Sequence, residues 1–396
     1  MNIIVGVTGS IAAYKALDLV SQLKKNHHQV RVVMTKNATN FIQPLSFETL
    51  SHEPCISDMF DGSEALAHIE WAKWADVCMI VPADANIIAK IAHGLADDFL
   101  STFLLAFDGL VLVAPAMNTV MYHQKVTQDN LQRLRDYGYE IVAPASGTLA
   151  CGDVGEGKLA DIDTLIYTLK KSLAKQSLKG FKMVVTAGPT IGKIDPVRYI
   201  TNYSSGKMGF AIAEAAAMRG AEVTLVAGRV ARDTPYGVNR IDVATTIEMK
   251  NVLVELLETH DGLVMAAAPA DYAPAEYHEE KIKKSGETLS LTLVKNPDIL
   301  KSLKQKLEDK IVVGFAAESH QLLENAQKKL VEKHLDFIVA NNIASKDTGF
   351  ASNYNAATII YKDGHQEIIP KQLKSQLADK ILDEIQEIRE AKKEEG

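Results

Sequence analysis

The chain has 396 residues and a formal net charge of −7, from 43 Lys and Arg against 50 Asp and Glu. This length exceeds what one ordinary hydrophobic core holds, so we expect two domains. The residues AVILMFWYC make up 47% of the chain and charged residues 23%, which is typical of a globular protein and excludes disordered, collagen-like and coiled-coil chains. The acidic balance lacks the basic surface that binds a nucleic-acid backbone, so nucleic acid is not an expected partner.

The cysteines and the N-terminal segment indicate the cellular compartment. Cys55, Cys78 and Cys151 are odd in number and lack CxxC spacing, which disfavours a disulfide framework and a zinc site. The opening segment MNIIVGVTGS has neither the basic region nor the long apolar stretch of a signal peptide. No run approaches the roughly 20 apolar residues of a membrane-spanning helix. We therefore expect a soluble cytoplasmic protein in which Cys55 and Cys78 are inert and buried.

Short runs rich in Val and Ile alternate with helical patterns throughout the chain, which predicts parallel βαβ units. In the first half we expect strands over 3–7, 30–34, 77–81, 110–114 and 140–143. A lysine-rich stretch that is poor in apolar residues predicts a linker near residue 178, so we place the domains at 1–178 and 179–396. In the second half we expect strands over 183–186, 223–226, 263–267, 289–294, 311–315, 337–340 and 357–361, and helices over 208–219 and 249–257.

These elements predict an α/β protein with two doubly wound, mostly parallel sheets, the second with extra strands near its end. Such runs are buried on both faces of their sheet. The tail after Leu373 has the pattern of a charged amphipathic helix, which favours a solvated face over a partner site.

The first predicted strand runs directly into Gly6-Val7-Thr8-Gly9-Ser10, where backbone N–H groups at a helix start are able to hold an anion. The segment lacks a full GxGxxG pattern, so a tight turn with a Ser cap explains it equally well. Polar and small residues also follow later strand ends, where the crevice of an open sheet lies. They are Thr35, Asn37, Ala83 and Asn86, and their convergence indicates a nucleotide-like ligand.

The stretch Gly152 to Lys158 satisfies GxxxxGK but is followed by Leu159, where a P-loop has Ser or Thr. Its upstream segment is small and polar rather than a strand, so we reject the P-loop. A glycine-rich stretch without flanking helix or strand is better interpreted as a mobile flap, with Cys151 at its base.

Two further polar residues of the first half are candidates for chemistry. His68 precedes a short helical pattern, and a lone histidine is more often packed or on the surface than catalytic. Asn118 follows the predicted strand over 110–114, in the segment Pro115-Ala116-Met117-Asn118, so its amide is placed to orient a carboxylate or simply to cap the next helix.

The second half carries its own phosphate-binding pattern. Residues 195–209 place Arg198 and Ser204-Ser205-Gly206 before a helix start, which favours phosphate binding. Asp271 follows the small residues 266–270 and precedes the basic cluster Lys281, Lys283 and Lys284. The more specific interpretation of this pattern is a binding site for a magnesium-bound triphosphate. The less specific interpretation is a cluster of solvated charges. Lys329 and Lys333, one helical turn apart, have the same two interpretations.

Several separate motifs, in order along the whole chain, resemble one family. It is the bacterial bifunctional coenzyme A biosynthesis flavoprotein, in which phosphopantothenoylcysteine decarboxylase is fused to phosphopantothenate–cysteine ligase. The first half resembles flavin-containing cysteine decarboxylases in the turn from Gly9 to Lys15, His68-Ile69, Pro115 to Asn118 with Met121, and Leu149 to Gly152. The second half resembles the ligase in Arg198 to Asn202 with Ser204 to Gly206, Ala270 to Tyr272, Lys281 to Lys284, Lys295 to Asp298, and Gly314 to Glu318.

The resemblance implies two reactions. The ligase activates the carboxylate of 4′-phosphopantothenate with CTP and magnesium, and cysteine attacks the acyl-cytidylate. The decarboxylase then uses FMN to release carbon dioxide from the cysteinyl group. In catalysis it implies a base or thiol-orienting role for His68, carboxylate binding for Asn118 and proton donation by Cys151. It also implies charge compensation by Lys281 and positioning of the acyl-cytidylate by Asn202.

The resemblance and the strand-end pattern together imply the following binding residues. For FMN they are Gly9, Ser10, Ile11, Thr35, Asn37, Ala83, Asn86, Ser101, Thr102 and Met117. For CTP and substrate they are Arg198, Ser204, Ser205, Gly206, Ala266, Ala267, Asp271, Lys281, Lys283, Asn296, Pro297, Asp298, Ile299, Phe315, Lys329 and Lys333, with Asp271 also as the magnesium ligand. The family further implies a homo-oligomer with trimeric contacts in the first domain and dimeric contacts in the second.

Two other functions stay open at this point. Two doubly wound domains also suit a nicotinamide-dependent dehydrogenase, which the missing GxGxxG with a following acidic residue weakens. A flavin- or nucleotide-binding module without catalytic activity is the second alternative.

Overall fold

The computed structural model describes residues 1–59, 66–149, 152–283, 288–318, 322–342 and 352–394. The chain forms two compact units, Met1–Leu173 and Ala174–Gly396. The division lies just before the linker predicted near residue 178, because Leu178 is already buried in the core of the second unit.

The first unit is a parallel six-stranded sheet in the order β3-β2-β1-β4-β5-β6. Its strands are β1 (Asn2–Val7), β2 (Gln29–Met34), β3 (Cys55–Ile56), β4 (Val77–Ala83), β5 (Leu110–Pro115) and β6 (Glu140–Ile141). Its helices are α1 (Lys15–Lys25), α2 (Pro44–Ser51), α3 (Ala67–Trp74), α4 (Ala85–His93), α5 (Phe99–Ala106), α6 (Thr119–His123), α7 (Lys125–Asp136) and α8 (Ile162–Leu173). Val5 of β1 lies opposite Val32 and Met79, which sets the register of the central strands.

Separate apolar clusters cover the two faces of this sheet. Val5 and Val7 pack with Leu19 and Leu23 of α1 on one face, and Ile4 packs among residues of α4 and α5 on the other. This explains the near-continuous apolar runs of the strands. The chain leaves β1 in one direction and β4 in the other, so the sheet has its topological switch point between these two strands.

The glycine-rich stretch of the first unit is a β-hairpin. β7 (Ala145–Thr148) pairs antiparallel with β8 (Val154–Lys158). The prediction of a flap without flanking strands is therefore wrong, and so is the exclusion of a strand before Cys151. The hairpin was not predicted because its residues are small and show no alternating apolar pattern. Its two strands pair through backbone hydrogen bonds. Cys151 itself lies outside the described residues.

The second unit repeats the doubly wound plan in an eight-stranded sheet of order β13-β12-β9-β14-β17-β18-β19-β20. The strands of this sheet are β9 (Lys182–Ala187), β12 (Glu222–Ala227), β13 (Val238–Asp242), β14 (Gly262–Met265), β17 (Ile311–Glu318), β18 (Phe337–Asn342), β19 (Tyr354–Tyr361) and β20 (Gln366–Leu373). The helices are α9 (Lys207–Met218), α10 (Thr246–Leu256), α11 (Ile299–Ser302), α12 (Leu322–Glu332) and α13 (Lys374–Glu394). Its switch point lies between β9 and β14, where Val185 is opposite Val264.

The predicted extra strands are present as β19 and β20, which pair antiparallel at one edge. The fold class predicted from the sequence, α/β with two doubly wound and mostly parallel sheets, is confirmed.

Two short ribbons lie outside the main sheet of the second unit. β10 (Ile191–Lys193) pairs with β11 (Tyr199–Thr201), and β15 (Tyr272–Pro274) pairs with β16 (Leu293–Lys295). The predicted strand over 289–294 is therefore wrong in length and place. Leu289 and Leu293 are exposed, and β16 pairs only with the three residues of β15.

The tail helix α13 is amphipathic, and its apolar face is buried within the second unit. Leu377, Ile381 and Ile385 are buried in the same cluster as Phe210 and Ile212 of α9. Most of its charged residues face solvent, but Lys374 and Glu384 are buried, so the predicted solvated face covers only part of the helix.

Cys55 and Cys78 are buried and unpaired. Burial raises the pKa of the Cys55 thiol to about 12 and raises that of Cys78 further. Both thiols therefore stay protonated, as the prediction of inert cysteines requires. Within the described ranges, no helix is both long and apolar enough to cross a membrane.

Candidate functional site

A cavity of about 540 Å³ lies at the switch point of the first unit. It is lined by residues 9–12, 14 and 15 after β1, 84 and 85 after β4, 116–118 after β5, 121 on α6, and 148, 149 and 157–159 of the hairpin. Gly9, Ser10, Ile11 and Met117 are the predicted FMN residues on this wall. The cavity therefore has the position expected for a ligand of an open α/β sheet.

Asp84 joins the two strands that border this cavity. Its carboxylate accepts hydrogen bonds from the backbone N–H of Gly9 at 3.0 Å and from that of Ile87, in the first turn of α4, at 2.8 Å. The Thr8 hydroxyl completes the link, because it donates to the Pro82 carbonyl and accepts from the Asp84 N–H. Asp84 was not among the predicted site residues, although Asp directly before a helical pattern is a signal for an N-cap.

The turn after β1 has little space for any side chain at Gly9. A Cβ atom there would lie 2.7 Å from the Asn37 Cβ, so only glycine fits without a shift. Two residues before Asn37, the buried hydroxyl oxygen of Thr35 has no hydrogen-bond partner. A buried hydroxyl without a partner is costly, which is consistent with a ligand that supplies one.

Asn118 sits at the mouth of the cavity, as the N-cap of α6. Its Oδ1 accepts from the Val120 N–H at 2.8 Å, and its Nδ2 donates to the Asp153 carboxylate of the hairpin at 2.9 Å. The hairpin is also fixed by a hydrogen bond from the Met117 N–H to the Gly157 carbonyl. Asn118 therefore both caps a helix and binds a carboxylate, so the two roles considered for it are compatible.

Several predicted residues of the first unit are not on the cavity wall, among them Thr35, Asn37 and Ala83, although Asn37 lies beside Gly9. Asn86 is exposed on α4. Ser101 and Thr102 form the start of α5, where their hydroxyls bond to Asp98. His68, the second residue of α3, is half-buried and also stands apart from this wall. Strand-end position and motif are therefore too coarse to decide which residues meet within one chain.

The second unit has a cleft at its own switch point. Two connected halves of about 470 Å³ and 420 Å³ share Ala267, Asp271, Phe315 and Lys329. The first half, called the α9 half here, includes the predicted residues Asn202, Ser204, Ser205, Gly206 and Ala266. The second, called the α11 half here, includes Asn296, Pro297, Asp298, Ile299 and Lys333.

Two threonines form hydrogen bonds beneath the cleft and were not among the predicted residues. The Thr190 and Thr246 hydroxyls are 2.8 Å apart, and Thr190 also accepts from the Ala270 N–H. Asn296 donates to the Ala270 carbonyl at 2.8 Å. These bonds fix the small-residue loop that ends at Asp271, so the backbone there is rigid before any ligand arrives.

Asp298 and Lys333 form an ion pair of 3.1 Å on the wall of the α11 half. Burial disfavours the charged form of Asp298, but the Lys301 N–H and the Lys333 ammonium outweigh it and lower the pKa of this carboxyl. Asp298 also caps α11. The two predicted residues therefore neutralise each other in the chain without ligand.

Arg198 is not on the wall of either half, although it was predicted to be part of a phosphate cradle. Its guanidinium donates to the buried Asp195 carboxylate and to the Ile282 carbonyl at 2.8 Å. Burial opposes ionisation of Asp195, but hydrogen bonds from Arg198 and from backbone N–H groups lower the pKa of that carboxyl strongly. Arg198 therefore anchors the segment on which Lys281 and Lys283 lie.

Lys281 and Lys283 are exposed and also lie outside the walls of the cleft. Proximity to Asp271 in the sequence does not bring them next to it, since Asp195 and Arg198 hold this segment against the β10–β11 ribbon. Within the described part of the chain, Asp271 belongs to no cluster of three or more His, Cys, Asp or Glu residues suited to a metal.

The α9 half also contains residues that were not among the predicted site residues. Lys207, Asn341, Asn355 and Lys374 line it together with the predicted ones. They come from α9, β18, β19 and the start of α13, which are far apart in sequence. Sequence periodicity alone does not predict that these residues lie close together.

Comparison with known proteins agrees with both units. Residues 1–174 match the family model described as Flavoprotein, and residues 178–388 match that described as DNA/pantothenate metabolism flavoprotein C-terminal domain. The coenzyme A biosynthesis bifunctional protein CoaBC of Vibrio cholerae is 44% identical over 98% of each chain. That of Bacillus subtilis is 40% identical over 97% of this chain and 96% of its own.

The chain belongs to the bifunctional coenzyme A biosynthesis flavoprotein family. It is an enzyme of coenzyme A biosynthesis with a flavoprotein unit and a ligase unit, and pantothenate-derived compounds are its substrates. Among solved structures, the C-terminal domain of a coenzyme A biosynthesis bifunctional protein CoaBC matches with a TM-score of 0.48 and 37% identity, over 55% of this chain and all of that one. The dehydrogenase and the non-catalytic binding module are not favoured by these matches.

The hydrogen bonds of Asp84 predict the effect of its substitution on both stability and flavin binding. Asp84→Ala removes an N-cap and the acceptor for Gly9, so we expect a loss of about 1–2 kcal/mol in unfolding free energy together with release of the flavin. Asp161→Ala is the matched control, because Asp161 also caps a helix of this unit, through the Thr164 N–H at 2.9 Å, but is not on the cavity wall. Thermal unfolding and visible absorption of the gel-filtered protein report the two effects. A similar flavin loss in both variants would contradict a specific role for Asp84.

Proposed function

We propose that the chain catalyses two consecutive steps of coenzyme A biosynthesis. The second unit ligates cysteine to 4′-phosphopantothenate through an acyl-cytidylate formed from CTP. The first unit then decarboxylates 4′-phosphopantothenoylcysteine to 4′-phosphopantetheine with FMN. We assign these reactions to the predicted domains 1–178 and 179–396, whose boundary falls next to the break between the compact units.

The observation that carries this proposal is that each unit has its own cleft at its own switch point. The first is a cavity closed by a hairpin and the second is an elongated cleft with two halves. Two reactants that must meet, an acid and a nucleotide, suit the two connected halves. One flavin with one substrate suits the single cavity.

The residues around the first cavity fit FMN. Gly9 gives close access to the backbone, Ser10 and Ile11 line the cavity, and Thr35 has a buried hydroxyl that lacks a partner. We propose that these residues, with Asn37, Ala83 and Met117, hold the cofactor. When bound, the flavin accepts the electrons of the cysteinyl thiol and returns them after carbon dioxide has left.

Asn118 is proposed to bind the carboxylate that is lost. Its amide already donates to the Asp153 carboxylate at 2.9 Å, so this group binds a carboxylate in the geometry that the structure shows. Arrival of the substrate carboxylate then requires Asp153 to yield, because two negative charges at one amide repel each other. Binding of substrate and movement of the hairpin are coupled in this way.

His68 and Cys151 complete the proposed decarboxylase. His68 acts as a base or orients the substrate thiol. Cys151, which lies between β7 and β8 in the sequence, donates the proton that restores the thiol. Since His68 stands apart from the cavity of its own chain, the proposed trimeric contacts supply a route for it to reach the cavity of another copy.

Asp271 is the proposed magnesium ligand of the ligase. Magnesium commonly uses one or two carboxylates together with substrate phosphates, which fits a single exposed Asp at the junction of the two halves. The ion would offset phosphate charge there. Asn202 lines the α9 half, and its Nδ2 donates to the Pro269 carbonyl at 3.0 Å, so its amide is placed beside the same loop.

We further propose a cytoplasmic homo-oligomer with trimeric contacts in the first unit and dimeric contacts in the second. Exposed apolar side chains rim the first cavity, among them Ile11, Tyr14 and Met121, which are 59%, 57% and 48% exposed. Exposed apolar groups next to a site favour a protein contact. The buried, unpaired Cys55 and Cys78 suit a reducing compartment.

The proposed function is tested by an assay of both products in one sample. Purified protein is expected to be yellow, to release pyrophosphate from CTP only with 4′-phosphopantothenate present, and to release carbon dioxide after cysteine is added. ATP, GTP and UTP replace CTP in parallel reactions as controls. A colourless protein, or pyrophosphate release that is independent of the acid, would overturn the proposal.

A further inference from the structure

Both tryptophans of the chain lie on α3, the helix whose second residue is His68. Trp71 is 7% exposed, and Trp74 packs partly buried against the same apolar cluster. Trp71 follows His68 by three positions, so the two side chains lie on the same side of the helix. A rotation of α3 about its axis therefore turns the Trp71 ring and the His68 imidazole together.

The Arg31 guanidinium lies over both indole rings. Its Cζ is 4.3 Å from the centre of the Trp74 ring and 5.2 Å from that of the Trp71 ring. Arg31 is on β2 and faces the same side of the sheet as Val33, which packs in the apolar cluster of that face. A guanidinium is weakly hydrated and stacks on aromatic faces, so its charge is tolerated among these groups.

Arg31 also forms an ion pair, and it is a loose one. The Arg31 Nε and the Glu53 Oε2 are 3.4 Å apart, and the buried Nε has no hydrogen-bond partner. The neighbours of Arg31 on this face are apolar, since Ile4 lies opposite it on β1 and Val33 follows on β2. An apolar residue would avoid the desolvation cost of a charge here. A role in orientation explains the arginine better, because stacking holds planar groups in one relative geometry.

Trp71 also contacts the start of α5. Its ring meets that of Phe99 edge to face, with 5.7 Å between the ring centres and 77° between the ring planes. Phe99 is buried and begins α5, where the Asp98 carboxylate accepts from the N–H and the hydroxyl of Ser101 at 2.8 Å each. Trp71 is therefore held by two neighbours of fixed position, a capped helix start and the Arg31 guanidinium.

The first turn of α3 depends on this packing for its orientation. The helix has eight residues, and Leu66 at its N-cap has no polar side chain to accept from the first N–H groups. A helix this short is not stable by itself, so packing determines how it lies. At its other end the Trp74 carbonyl accepts from the Asn2 Nδ2 at 2.9 Å, which fixes the last turn to β1. The rings one turn after His68 then limit the rotation of the first turn.

We propose that Arg31 is a positioning residue of the decarboxylase, which fixes the rotation of α3 by stacking on Trp71 and Trp74 and so sets the direction in which His68 points. The inference rests on the proposed function, because it takes His68 as the base or the thiol-orienting group. Arg31 is not on the wall of the cavity, so it acts through the rings. Loss of the stack therefore slows the catalysed step and leaves substrate binding unchanged.

The test measures kcat and KM for carbon dioxide release from 4′-phosphopantothenoylcysteine with the full chain. In Arg31→Met we expect kcat to fall roughly 10- to 100-fold, as when a catalytic group is displaced by about 1 Å, while KM and CTP-dependent ligation stay the same. Arg31→Lys keeps the charge without the planar stack and should lose most of the same activity. Glu53→Gln removes the ion pair and should keep the wild-type kcat.

Lys171→Met is the matched control. The Lys171 Nζ lies 5.9 Å from the centre of the Tyr167 ring on α8, so this variant removes a cation over an aromatic ring of the same unit but on another helix. Its kcat and KM should equal those of the wild type. A loss like that of Arg31→Met would show that removal of such a contact anywhere in the unit is enough.

Tryptophan fluorescence gives a readout that does not depend on activity. Because Trp71 and Trp74 are the only tryptophans, all indole emission reports on α3. Acrylamide should quench this emission more strongly in Arg31→Met than in the wild type, since the Trp74 ring loses its cover. Adding Arg31→Met to Trp74→Leu should lower kcat by less than Arg31→Met does alone, because part of the stack is already gone. If Arg31→Met shows no thermal unfolding transition, Arg31→Lys takes its place in both measurements.

The outcomes distinguish the inference from the proposed function. A wild-type kcat in the folded Arg31 variants, an equal loss in Glu53→Gln, or strictly additive losses with Trp74→Leu would overturn the inference alone. A rise in KM at unchanged kcat would also overturn it, because Arg31 would then act in substrate binding. Full carbon dioxide release in His68→Asn, or none in the wild type, would instead overturn the proposed function, and the inference with it.

Discussion

His68→Asn is expected to abolish carbon dioxide release and to leave ligation unchanged. His68 lies in the first unit and the residues proposed for ligation lie in the second, and each unit has its own core. A group that moves or orients a proton in the transition state contributes roughly 100-fold or more to the rate, so the loss should be at least of that size. Pyrophosphate and carbon dioxide would be followed separately in one sample.

His52→Asn is the matched control for this experiment. His52 is an exposed histidine of the same unit with a φ of 59°, a conformation that asparagine tolerates. This variant should keep both activities. Equal loss of both activities in His68→Asn, in a protein that still unfolds at the wild-type temperature, would refute two separate sites.

Lys281→Gln is expected to prevent formation of the acyl-cytidylate. Charge builds on the phosphates as pyrophosphate leaves, and removal of one compensating positive charge costs on the order of 3 kcal/mol, roughly a hundredfold in rate. Because Lys281 is exposed and outside the walls of the cleft, the segment anchored by Arg198 has to bring it to the triphosphate, by moving or from a second copy. Rapid quenching with labelled CTP, without cysteine, would measure the intermediate.

Asn202→Asp separates the second ligase step from the first. A carboxylate at this position would stand beside the phosphate of the cytidylate, so attack by the cysteine amine should slow more than activation. The intermediate should accumulate in Asn202→Asp and be missing in Lys281→Gln. Lys304→Gln, which removes an exposed lysine that lines neither half, should behave as wild type. Normal build-up of the acyl-cytidylate in Lys281→Gln would show that this lysine does not act in activation.

Asp298 and Arg198 show what a short sequence motif predicts and what it does not. Both were chosen from short sequence patterns, and Asp298 does lie in the cleft, paired with Lys333 at 3.1 Å. Arg198 is turned away from it by the buried Asp195, only three residues earlier in the chain. A motif locates a loop near a strand end, but a buried counter-charge decides where a long side chain points.

Hydrophobic periodicity by itself determined the fold class. Apolar runs such as 3–7 and 183–186 have to be covered on both faces, and the helical patterns between them leave parallel strands with crossover helices as the way to do so. That arrangement already places a crevice beyond the ends of the first strand of each unit, next to Gly9 and near Asp271. The sequence also determined that Cys55 and Cys78 are buried and inert, because each lies within an apolar pattern.

Only the tertiary structure decided which side chains share a crevice. Asp84 meets Gly9 across 75 positions, and Lys374 meets Lys207 across a still longer separation, because parallel strands and the closing helix α13 bring together ends that the chain leaves far apart. The hairpin β7–β8 also emerged only there, since glycine-rich strands pair through backbone groups and carry no periodic signal. Contacts of this kind depend on register and packing, which local patterns do not encode.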